Sequence, residues 1–304
     1  MLKILVIGSS NTDLIATVKN FPLAGETIEG KTFLQAMGGK GANQAVAAHK
    51  LGGDVKFITC LGNDPNGQNA LKYYKEQGLD VSSSLVVDSA PSGTAMILVD
   101  EKGENCIIIT PGANKLLTPE YIQQVEHEIE TCDMIVLQME IPYETVKIVC
   151  ELAEKYHKRV MLNVAPARQI ERDLLGKIDL LIVNETEAET ISGQKINKLE
   201  EEAVVDSLLG MGAKTVVLTL GKQGCMVKND QLTMCVPSFF VEAVDSTAAG
   251  DTFCGALAAE LGRGHDWDEA LKFATAASAI CVTRMGAQPS IPTEREVREF
   301  LTRL

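Results

Sequence analysis

The sequence predicts an α/β fold in which a mostly parallel central sheet carries helices on both faces. Short apolar runs alternate with helix-like stretches along most of the 304 residues, and strands that alternate with helices form sheets of this kind. Two β-like segments break the alternation, and the chain contains no internal repeat, low-complexity tract or linker. We therefore expect one domain over residues 1–304, with a small β-sheet as a lid.

The predicted strands of the central sheet are short and apolar, and helix-like stretches separate them. Strands are predicted at residues 4–7, 55–61, 134–137, 160–163, 180–183 and 215–220. Helices are predicted at residues 42–51, 69–77, 119–130, 143–156, 199–209, 250–263 and 267–284. The last two helices make the C-terminal part of the chain mainly helical.

The lid is predicted from two segments, about 14–35 and 94–110, which read as strands without crossover helices. In the second segment, two apolar runs flank a polar turn through Gly103, which is the pattern of a β-hairpin. A small sheet with one apolar face needs a cover. We expect that cover to be the active site or a partner subunit.

Composition argues against several classes of function. The net charge is −13, from 28 basic and 41 acidic residues, and no basic stripe is present, which does not favour nucleic-acid binding. The apolar N-terminal stretch is too short for a signal peptide, and no apolar run approaches the ~18 residues of a membrane span. A cytoplasmic location is therefore expected.

The eight cysteines and four histidines do not show the spacing of a metal site. No two cysteines form a C-x-x-C pair, and most lie in apolar runs such as 106–109. We therefore expect buried free thiols in a reducing compartment.

One motif in the predicted lid matches a nucleotide-binding pattern without its context. Residues 25–32 fit the P-loop pattern G-x-x-x-x-G-K-[ST], which has a mechanism only between a strand and a helix. Here a turn precedes the motif, and only five residues separate Thr32 from Gly38, too few for a helix. Glu26 and Glu29 would also lie against bound phosphates. We therefore assign this segment to a lid strand.

A glycine-rich segment leads into a predicted helix of small residues. It reads Gly38-Gly39-Lys40-Gly41-Ala42-Asn43-Gln44-Ala45. Glycines at a helix N-terminus let the backbone approach a ligand closely. A plain strand-to-helix turn would not require Lys40 and Asn43, so we interpret this segment as a ligand site.

A second segment of small residues, 245–255, leads into another predicted helix. Free N–H groups at such a helix N-terminus can bind the negative charge that develops on a transferred phosphoryl group. Asp251 lies at the helix start beside this predicted anion site, and Asp245 lies six residues upstream. A carboxylate there could simply cap the helix. The absence of bulky side chains favours Asp251 as a catalytic base.

Two further segments come at the ends of predicted strands and are weaker signals. Thr219-Leu220-Gly221-Lys222-Gln223-Gly224 ends one strand, although Gly-x-x-Gly is also an ordinary hairpin turn. Asn184-Glu185-Thr186-Glu187 follows another strand, at the edge where α/β sheets bind ligands. Taken alone, it could equally be an acidic helix start.

Together these motifs resemble the ribokinase family of carbohydrate kinases. Both family signatures are present, at residues 38–45 and 245–251, and the resemblance extends from Asn11 to Ser290. The resemblance implies Mg²⁺-dependent transfer of the γ-phosphoryl group of ATP to O5 of ribose, with Asp251 as general base. It also implies activation by K⁺ and a homodimer that forms through the lid.

The resemblance implies roles for the matching positions. The sugar would contact Asn11, Asp13, Gly38, Gly39, Lys40, Gly41, Asn43, Glu140 and Asp251. ATP would contact Asn184, Thr219, Leu220, Gly221, Lys222, Gln223, Gly224, Gly250 and Thr275, and the anion hole would comprise Ala248, Ala249, Gly250 and Asp251. Glu187 would hold Mg²⁺ through water. The K⁺ site would comprise Asp245, Thr247, Cys281, Arg284, Gly286 and Ser290, several of them through backbone carbonyls.

Two positions depart from the family pattern. Cys281 replaces a small apolar residue in the cation loop, a change that a ligand acting through its backbone carbonyl should tolerate. Thr275 lies near the adenine site, where histidine or asparagine is common, so the contact with the base is left open.

Three alternatives remain. The acceptor could be 2-deoxyribose, another pentose or a nucleoside within the same family. A nicotinamide dehydrogenase would need G-x-G-x-x-G after the first strand, but residues 8–13 read Gly-Ser-Ser-Asn-Thr-Asp. A catalytically silent sugar-binding protein on the same fold would not need Asp251.

Overall fold

The computed structural model of the protein describes residues 1–195 and 201–303. The strands are β1 (Lys3–Ile7), β2 (Asn11–Thr17), β3 (Thr32–Gly38), β4 (Asp54–Ile58), β5 (Cys60–Gly62), β6 (Leu85–Val87), β7 (Gly93–Val99), β8 (Asn105–Thr110), β9 (Met134–Leu137), β10 (Arg159–Asn163), β11 (Leu180–Asn184), β12 (Thr215–Thr219), β13 (Cys225–Asn229) and β14 (Thr233–Val236). The helices are α1 (Lys40–Lys50), α2 (Pro65–Glu76), α3 (Pro119–Gln124), α4 (Glu126–Thr131), α5 (Tyr143–Lys155), α6 (Arg172–Leu175), α7 (Glu185–Ser192), α8 (Glu201–Gly210), α9 (Ala249–Arg263), α10 (Trp267–Cys281) and α11 (Glu294–Thr302).

The central sheet has the strand order β14-β13-β12-β11-β10-β9-β1-β4. Neighbouring strands are parallel from β12 to β4, whereas β13 is antiparallel to both β12 and β14. Parallel neighbours need a crossover connection, and helices supply it here. The predicted fold class, a mostly parallel sheet with helices, is therefore confirmed.

Each face of the central sheet has its own apolar core. In β1, Ile4 and Val6 pack in the core that includes α1, α9 and α10, whereas Leu5 and Ile7 pack in the core that includes α5 and α7. Successive side chains of a strand point to opposite faces, so a strand covered on both sides is apolar at every position. This explains why the predicted strands read as unbroken apolar runs.

A second sheet, in the order β3-β2-β7-β8, contains both β-like segments. β2 pairs with β3 in the antiparallel and with β7 in the parallel sense, and β7 and β8 form the predicted hairpin. Strand β2 begins at Asn11, earlier than expected, and residues 18–31 between β2 and β3 form no strand. The P-loop-like residues 25–32 lie in this connection and lead into β3 rather than a helix. Only Thr32 of this segment belongs to β3, so the assignment to a lid strand is wrong for residues 25–31, which form the connection between two lid strands.

Several elements differ from the prediction. The stretch expected to be one helix at 119–130 forms α3 and α4, because the backbone leaves helical geometry at Val125. The strand expected at 55–61 divides into β4 and β5, which belong to different sheets. Of the helix expected at 199–209, residues 199 and 200 lie outside the described residues, and the remainder belongs to α8. Strands β6, β13 and β14 are not predicted by the sequence analysis.

All eight cysteines are free thiols, and six of them are buried as expected. Cys106 and Cys235 are exposed, which corrects the expectation for these two. They lie on β8 and β14, each of which is an edge strand of its sheet. Within residues 1–195 and 201–303, no helix combines the length and apolarity needed to cross a lipid bilayer.

Candidate active site

Polar side chains gather at the carboxyl edge of the central sheet. Ser9 follows β1, Glu140 follows β9, Asn184 ends β11 and Thr219 ends β12. These strands are parallel, so their carboxyl ends lie along the same edge, which is where open α/β sheets bind ligands. The segments that resemble family motifs therefore meet along one edge.

Helices α1 and α9 start at this edge and pack with their backbones close together. A Cβ at Gly255 would lie 2.5 Å from the Cβ of Ala47, closer than real side chains approach. Position 255 therefore requires glycine, and the small residues of both helices permit this spacing. Their close approach brings Asn43 on α1 within hydrogen-bond distance of Asp251 on α9.

Asp251 is a buried carboxylate, 6% exposed, whose two oxygens are each held by an amide. Asn43 Nδ2 donates to Asp251 Oδ2 at 3.0 Å, and Gln44 Nε2 donates to Asp251 Oδ1 at 3.0 Å. The carboxylate makes no cap hydrogen bond to α9. Asp251 is therefore held by α1, with a fixed orientation at the start of its own helix.

The residues before Asp251 form a tight turn that presents free N–H groups. Ala248 has φ 60°, in the left-handed region that is unfavourable for alanine. The N–H of Ala249 donates to the carbonyl of Ser246 at 3.2 Å, but the N–H groups of Gly250 and Asp251 have no acceptor in the described structure. Of the predicted anion hole, only the N–H groups of Gly250 and Asp251 are therefore available to a phosphate, because the N–H of Ala249 is already hydrogen-bonded.

These groups line a cavity of about 220 Å³, which we call the inner cavity. Its walls include Lys40, Asn184, Glu187, Thr219, Gly250 and Asp251. Residues that the sequence places in separate motifs therefore share one space. The combination of a lysine, helix N–H groups and carboxylates suits a phosphate group with a divalent cation.

Among the described residues that line the inner cavity, Lys40 is the one with a positively charged side chain. Its ammonium group forms no ion pair or hydrogen bond with described residues, although its side chain is largely buried. The charge of Asp251 raises the pKa of Lys40, with smaller contributions from Glu140 and Glu187, and burial partly opposes this. Lys40 therefore stays protonated at neutral pH with its donors available to an anion.

Asn184 and Glu187 form the N-terminus of α7 as a reciprocal cap. Asn184 Oδ1 accepts from the N–H of Glu187 at 2.9 Å, and Glu187 Oε2 accepts from the N–H of Asn184 at 2.8 Å. Burial raises the pKa of Glu187. Glu187 Oε1 has no hydrogen bond among the described residues. A carboxylate oxygen such as Glu187 Oε1 can bind Mg²⁺, directly or through water.

Asp13, on β2, is a buried carboxylate without a hydrogen-bond partner in the described structure. Burial raises its pKa to about 7, and the negative charges of Glu140 and Asp251 contribute. A Cβ at Gly38 would lie 2.1 Å from Asp13 Oδ2, so glycine at 38 makes room for this side chain. Leaving a buried carboxylate unpaired is costly, which indicates that a ligand satisfies it.

Two neighbours of Asp13 are held by residues that the sequence analysis does not identify. Asn114 Nδ2 donates to Asn11 Oδ1 at 2.8 Å, and Ser9 Oγ donates to Glu140 Oε2 at 2.6 Å. Asn11 and Glu140 both line a larger cavity of about 540 Å³, which we call the outer cavity. Asn114 is far from any motif, so the sequence offers no signal for it, whereas Ser9 adjoins the first strand.

The segment predicted to cover the nucleotide connects β12 to β13. Thr219 ends β12 on the wall of the inner cavity, and Gly221–Gln223 form a short 3₁₀ turn. This segment is thus a hairpin connection that also borders the site. Thr275 is buried on α10, with its hydroxyl 3.8 Å from Cys225 Sγ, next to Gly224. Thr275 does not line the inner cavity.

The predicted cation loop is assembled around Asp245. Asp245 Oδ1 accepts from the N–H and the hydroxyl of Thr247 at 2.9 and 2.6 Å, and Oδ2 accepts from the N–H of Gly286 at 2.8 Å. Cys281 Sγ lies 3.0 Å from Ser290 Oγ and 3.7 Å from the carbonyl oxygen of Thr247. Two segments distant in sequence are therefore joined immediately before the anion turn.

The loop keeps oxygen atoms that fit a monovalent cation. Across the described residues, no backbone hydrogen bond is accepted by the carbonyls of Thr247, Arg284 or Gly286. The Arg284 guanidinium is paired with Glu296 at 2.6 Å, so its charge is neutralised locally. One carboxylate with several carbonyls suits a large, weakly hydrated cation better than Mg²⁺.

A family model, a curated relative and two solved structures that resemble this chain are all described as carbohydrate kinases or ribokinases. The chain matches the model of the family described as pfkB family carbohydrate kinase over residues 1–294. It is 39% identical to a ribokinase from Haemophilus influenzae, over 97% of both chains. The crystal structure of a ribokinase from Thermotoga maritima is 40% identical, with a TM-score of 0.91 over 99% of this chain and 100% of that one. A ribokinase from Arabidopsis thaliana complexed with ribose and ATP is 32% identical, with a TM-score of 0.93 over 99% and 98% of the two chains.

Proposed function

Because the chain belongs to the pfkB family of carbohydrate kinases, we propose that it transfers the γ-phosphoryl group of ATP to O5 of ribose. The observation that carries the proposal is Asp251, a buried carboxylate fixed by two amides beside the free N–H groups of an anion turn. Phosphoryl transfer to an alcohol needs a proton acceptor next to groups that stabilise phosphate charge. Formation of ADP that depends on added ribose tests the proposal.

The proposed step is a direct in-line displacement. The O5 oxygen of ribose forms a bond to the γ-phosphorus while the bond from that phosphorus to the bridging oxygen breaks, and ADP leaves. The O5 proton moves to Asp251. The N–H groups of Gly250 and Asp251 stabilise the charge on the transferring oxygens, and the ammonium group of Lys40 adds a positive charge in the same cavity.

Magnesium is the divalent cation proposed to accompany ATP. Glu187 would hold it through the oxygen that the helix cap leaves free, with water between them, and Asn184 would help to position the phosphates. Bound Mg²⁺ supplies charge neutralisation at the β- and γ-phosphates. The burial of Glu187 on the wall of the inner cavity supports this role.

The sugar is proposed to bind between the lid and the central sheet. Asp13 would accept hydrogen bonds from two adjacent hydroxyls, since a carboxylate suits a vicinal diol. Asn11 and Glu140 would complete the polar contacts, along with Asn43 and the backbone around Gly38. Because Asp13 lies on a lid strand, movement of the lid onto the sugar would also exclude water, a competing phosphoryl acceptor.

Sugar binding is expected to depend on the protonation of Asp13. Its pKa of about 7 means that the group gains a proton as the pH falls from 8 to 6, and a protonated carboxyl accepts fewer hydrogen bonds. The KM for ribose should therefore rise several-fold over this range, while the KM for ATP changes little. Steady-state kinetics at each pH measure both values. A ribose KM that stays constant from pH 8 to pH 6 would contradict this role of Asp13.

Activation by potassium is proposed at the Asp245 loop. A cation bound to this loop would fix the carbonyl groups before Ala249, so that the N–H groups of Gly250 and Asp251 point at the phosphoryl group. At constant ionic strength, we expect kcat several-fold higher in K⁺ than in Na⁺ or a bulky organic cation, and Asp245→Ala should abolish the difference. Equal rates in all three salts would mean that the hydrogen bonds of Asp245 alone organise this loop.

A homodimer through the outer face of the lid is also proposed. Met96 and Ile108 are opposite each other in the register of β7 and β8, and both are about half exposed. Leu14 is next to Met96 in the adjoining strand β2, and since strand side chains alternate, these residues face away from the side that carries Asp13. An apolar face of this kind favours burial against a second copy.

Light scattering at micromolar concentration is expected to give the mass of a dimer for the wild type. Ile108→Asp should give the mass of a monomer, because it would bury a charge in the proposed interface. Val86→Asp serves as the matched control, since Val86 is also exposed but lies on β6, in another sheet. A monomeric wild-type protein would refute the dimer.

A further inference from the structure

A chain of buried amides leads to Asp251, and only its last hydrogen bond, from Gln44 to Asp251, belongs to the site described above. Gln44 Nε2 donates to Asp251 Oδ1 at 3.0 Å and to Asn163 Oδ1 at 3.1 Å. Gln44 Oε1 in turn accepts from Gln138 Nε2 at 2.8 Å. Gln44 and Gln138 are both fully buried, and neither lines the inner or the outer cavity.

The orientation of the Gln44 amide is determined by its neighbours. Asn163 Nδ2 donates to the carbonyl of Ile182 at 3.3 Å, so Asn163 presents its oxygen to Gln44. If the Gln44 amide were turned over, its oxygen would face two other oxygens and its nitrogen would face the nitrogen of Gln138. Both N–H groups of Gln44 are therefore committed, and one of them is fixed on Asp251.

Gln138 is fixed by one side-chain hydrogen bond, to Gln44, and by close packing, since its Oε1 is buried without a hydrogen-bond partner in the described structure. It follows β9 directly, and a Cβ at Gly8 would lie 2.0 Å from Gln138 Oε1. Gly8, directly after the first strand, therefore leaves the space in which Gln138 reaches Gln44. Glycine is therefore needed at position 8 for packing, whether or not this segment binds a nucleotide.

The second amide on Asp251 differs from Gln44 in its surroundings. Asn43 belongs to the proposed sugar site, and its Oδ1 is buried without a hydrogen bond. A sugar hydroxyl that donates to this oxygen would change the hydrogen bonding of the Asn43 side chain. Gln44 lines neither cavity, so we expect its hydrogen bond to Asp251 Oδ1 to be kept when ligands bind.

We propose that Gln44 is a positioning residue for Asp251. It holds Oδ1 in place, so that Oδ2 remains directed at the acceptor hydroxyl, and Gln138 holds Gln44. The inference rests on the proposed function, because it requires Asp251 to be the base. Small misplacements of a catalytic group lower rates strongly, about 10²-fold for roughly 1 Å, so the effect should be visible in kcat.

The test is steady-state kinetics of Gln44→Met, which keeps the side-chain length but has no N–H group. We expect kcat to fall roughly 10–100-fold, while the KM values for ATP and ribose stay within about threefold of the wild type. In the Asp251→Asn background the same substitution should change kcat very little further, because residues that act as a unit are not additive.

Two more variants keep the test decisive. Gln138→Met removes the support of Gln44 without touching Asp251, and a smaller fall in kcat is expected, which can be measured even if Gln44→Met does not fold. Thr145→Val is the matched control, because buried Thr145 donates to the carbonyl of Leu117 at 2.6 Å and makes no hydrogen bond with the described residues of the amide chain. Its kcat should equal that of the wild type.

Wild-type kcat in both Gln44→Met and Gln138→Met would overturn the inference. A fall in the kcat of Gln44→Met that is fully additive with that of Asp251→Asn would also overturn it, since it would indicate a general structural effect. Failure of the proposed function is distinguishable, because the wild-type protein would then phosphorylate no sugar. An active wild type with an unaffected Gln44→Met variant removes the inference alone.

Discussion

Replacing Asp251 with asparagine is expected to lower kcat roughly 10²–10⁴-fold, the usual effect of losing a general base. The amide cannot accept the O5 proton, although its size and shape are almost unchanged. The fold should persist, because Asn43 can turn its unpaired oxygen towards the new N–H groups. Sugar binding should also persist, since Asp13, Asn11 and Glu140 are unchanged.

Three measurements on Asp251→Asn separate a loss of chemistry from a loss of structure. Single-turnover kinetics give the rate of the chemical step, calorimetry gives the ribose affinity, and thermal unfolding reports on the fold. We expect only the first to change strongly. A variant that folds, binds ribose and retains a kcat near that of the wild type would show that Asp251 is not the general base.

The second large effect is expected for Asp13→Ala, in which the KM for ribose should rise about 10²-fold with little change in the KM for ATP. The substitution removes hydrogen bonds between a carboxylate and sugar hydroxyls, each worth about 1.5–3 kcal/mol. Because these bonds are present before the reaction begins, their loss appears mainly as weaker sugar binding. Calorimetry with ribose checks the assignment directly, and an unchanged affinity would show that Asp13 is not a sugar ligand.

A companion variant, Asp13→Asn, should weaken sugar binding and yet stabilise the free protein. The pKa of Asp13 is raised from 3.8 to about 7 on folding, so the folded state disfavours the ionised group, and this cost grows as the pH rises from about 4 to 7. Removing the charge should increase the free energy of unfolding by roughly 1–4 kcal/mol at pH 8. At pH 4 the difference should nearly vanish, which denaturant unfolding at the two pH values measures.

The parts of the site that the sequence predicts are those imposed by the backbone. Glycines at 38, 41 and 255 are needed where chain segments come close together, and such requirements leave a pattern of small residues in the sequence. Buried parallel strands likewise leave unbroken apolar runs, which is why the fold class could be predicted. Asp251 stands out because it is a carboxylate at the start of a helix of small residues.

The supporting side chains could not be predicted in this way. Gln44 contacts residues 94, 119 and 207 positions away in the sequence, and Asn114 contacts Asn11 across 103 positions. Neither residue type is unusual where it occurs, and no local spacing links the partners. Such pairs are created by the packing of distant elements, so they are visible only in the folded chain.

The antiparallel end of the central sheet, formed by β13 and β14, is not predicted for a different reason. In β13 only the three residues 225–227 are apolar and buried, and in the edge strand β14 the exposed Thr233 and Cys235 alternate with the more covered Met234 and Val236. They therefore lack the continuous apolar run of the buried strands. The Gly-x-x-Gly turn before β13 is compatible with a hairpin, but this pattern alone does not predict the strands that follow it.

The choice of acceptor sugar distinguishes ribose phosphorylation from the other reactions that the same site could catalyse. Ribose, 2-deoxyribose, other pentoses and nucleosides all present a primary hydroxyl that Asp251 could deprotonate. They differ in the hydroxyls available to Asp13. A vicinal diol can engage both oxygens of a carboxylate, so ribose should have a higher kcat/KM than 2-deoxyribose if Asp13 binds the hydroxyl that the latter lacks.

The central claim is tested most directly by incubating the wild-type protein with ATP, Mg²⁺ and each sugar of this panel, and identifying the products by phosphorus NMR. We expect ribose to give equal amounts of ADP and ribose 5-phosphate, with the highest kcat/KM of the panel and no phosphorylation at other hydroxyls. No phosphorylated sugar from any acceptor, or a phosphate on a secondary hydroxyl of ribose, would contradict the account.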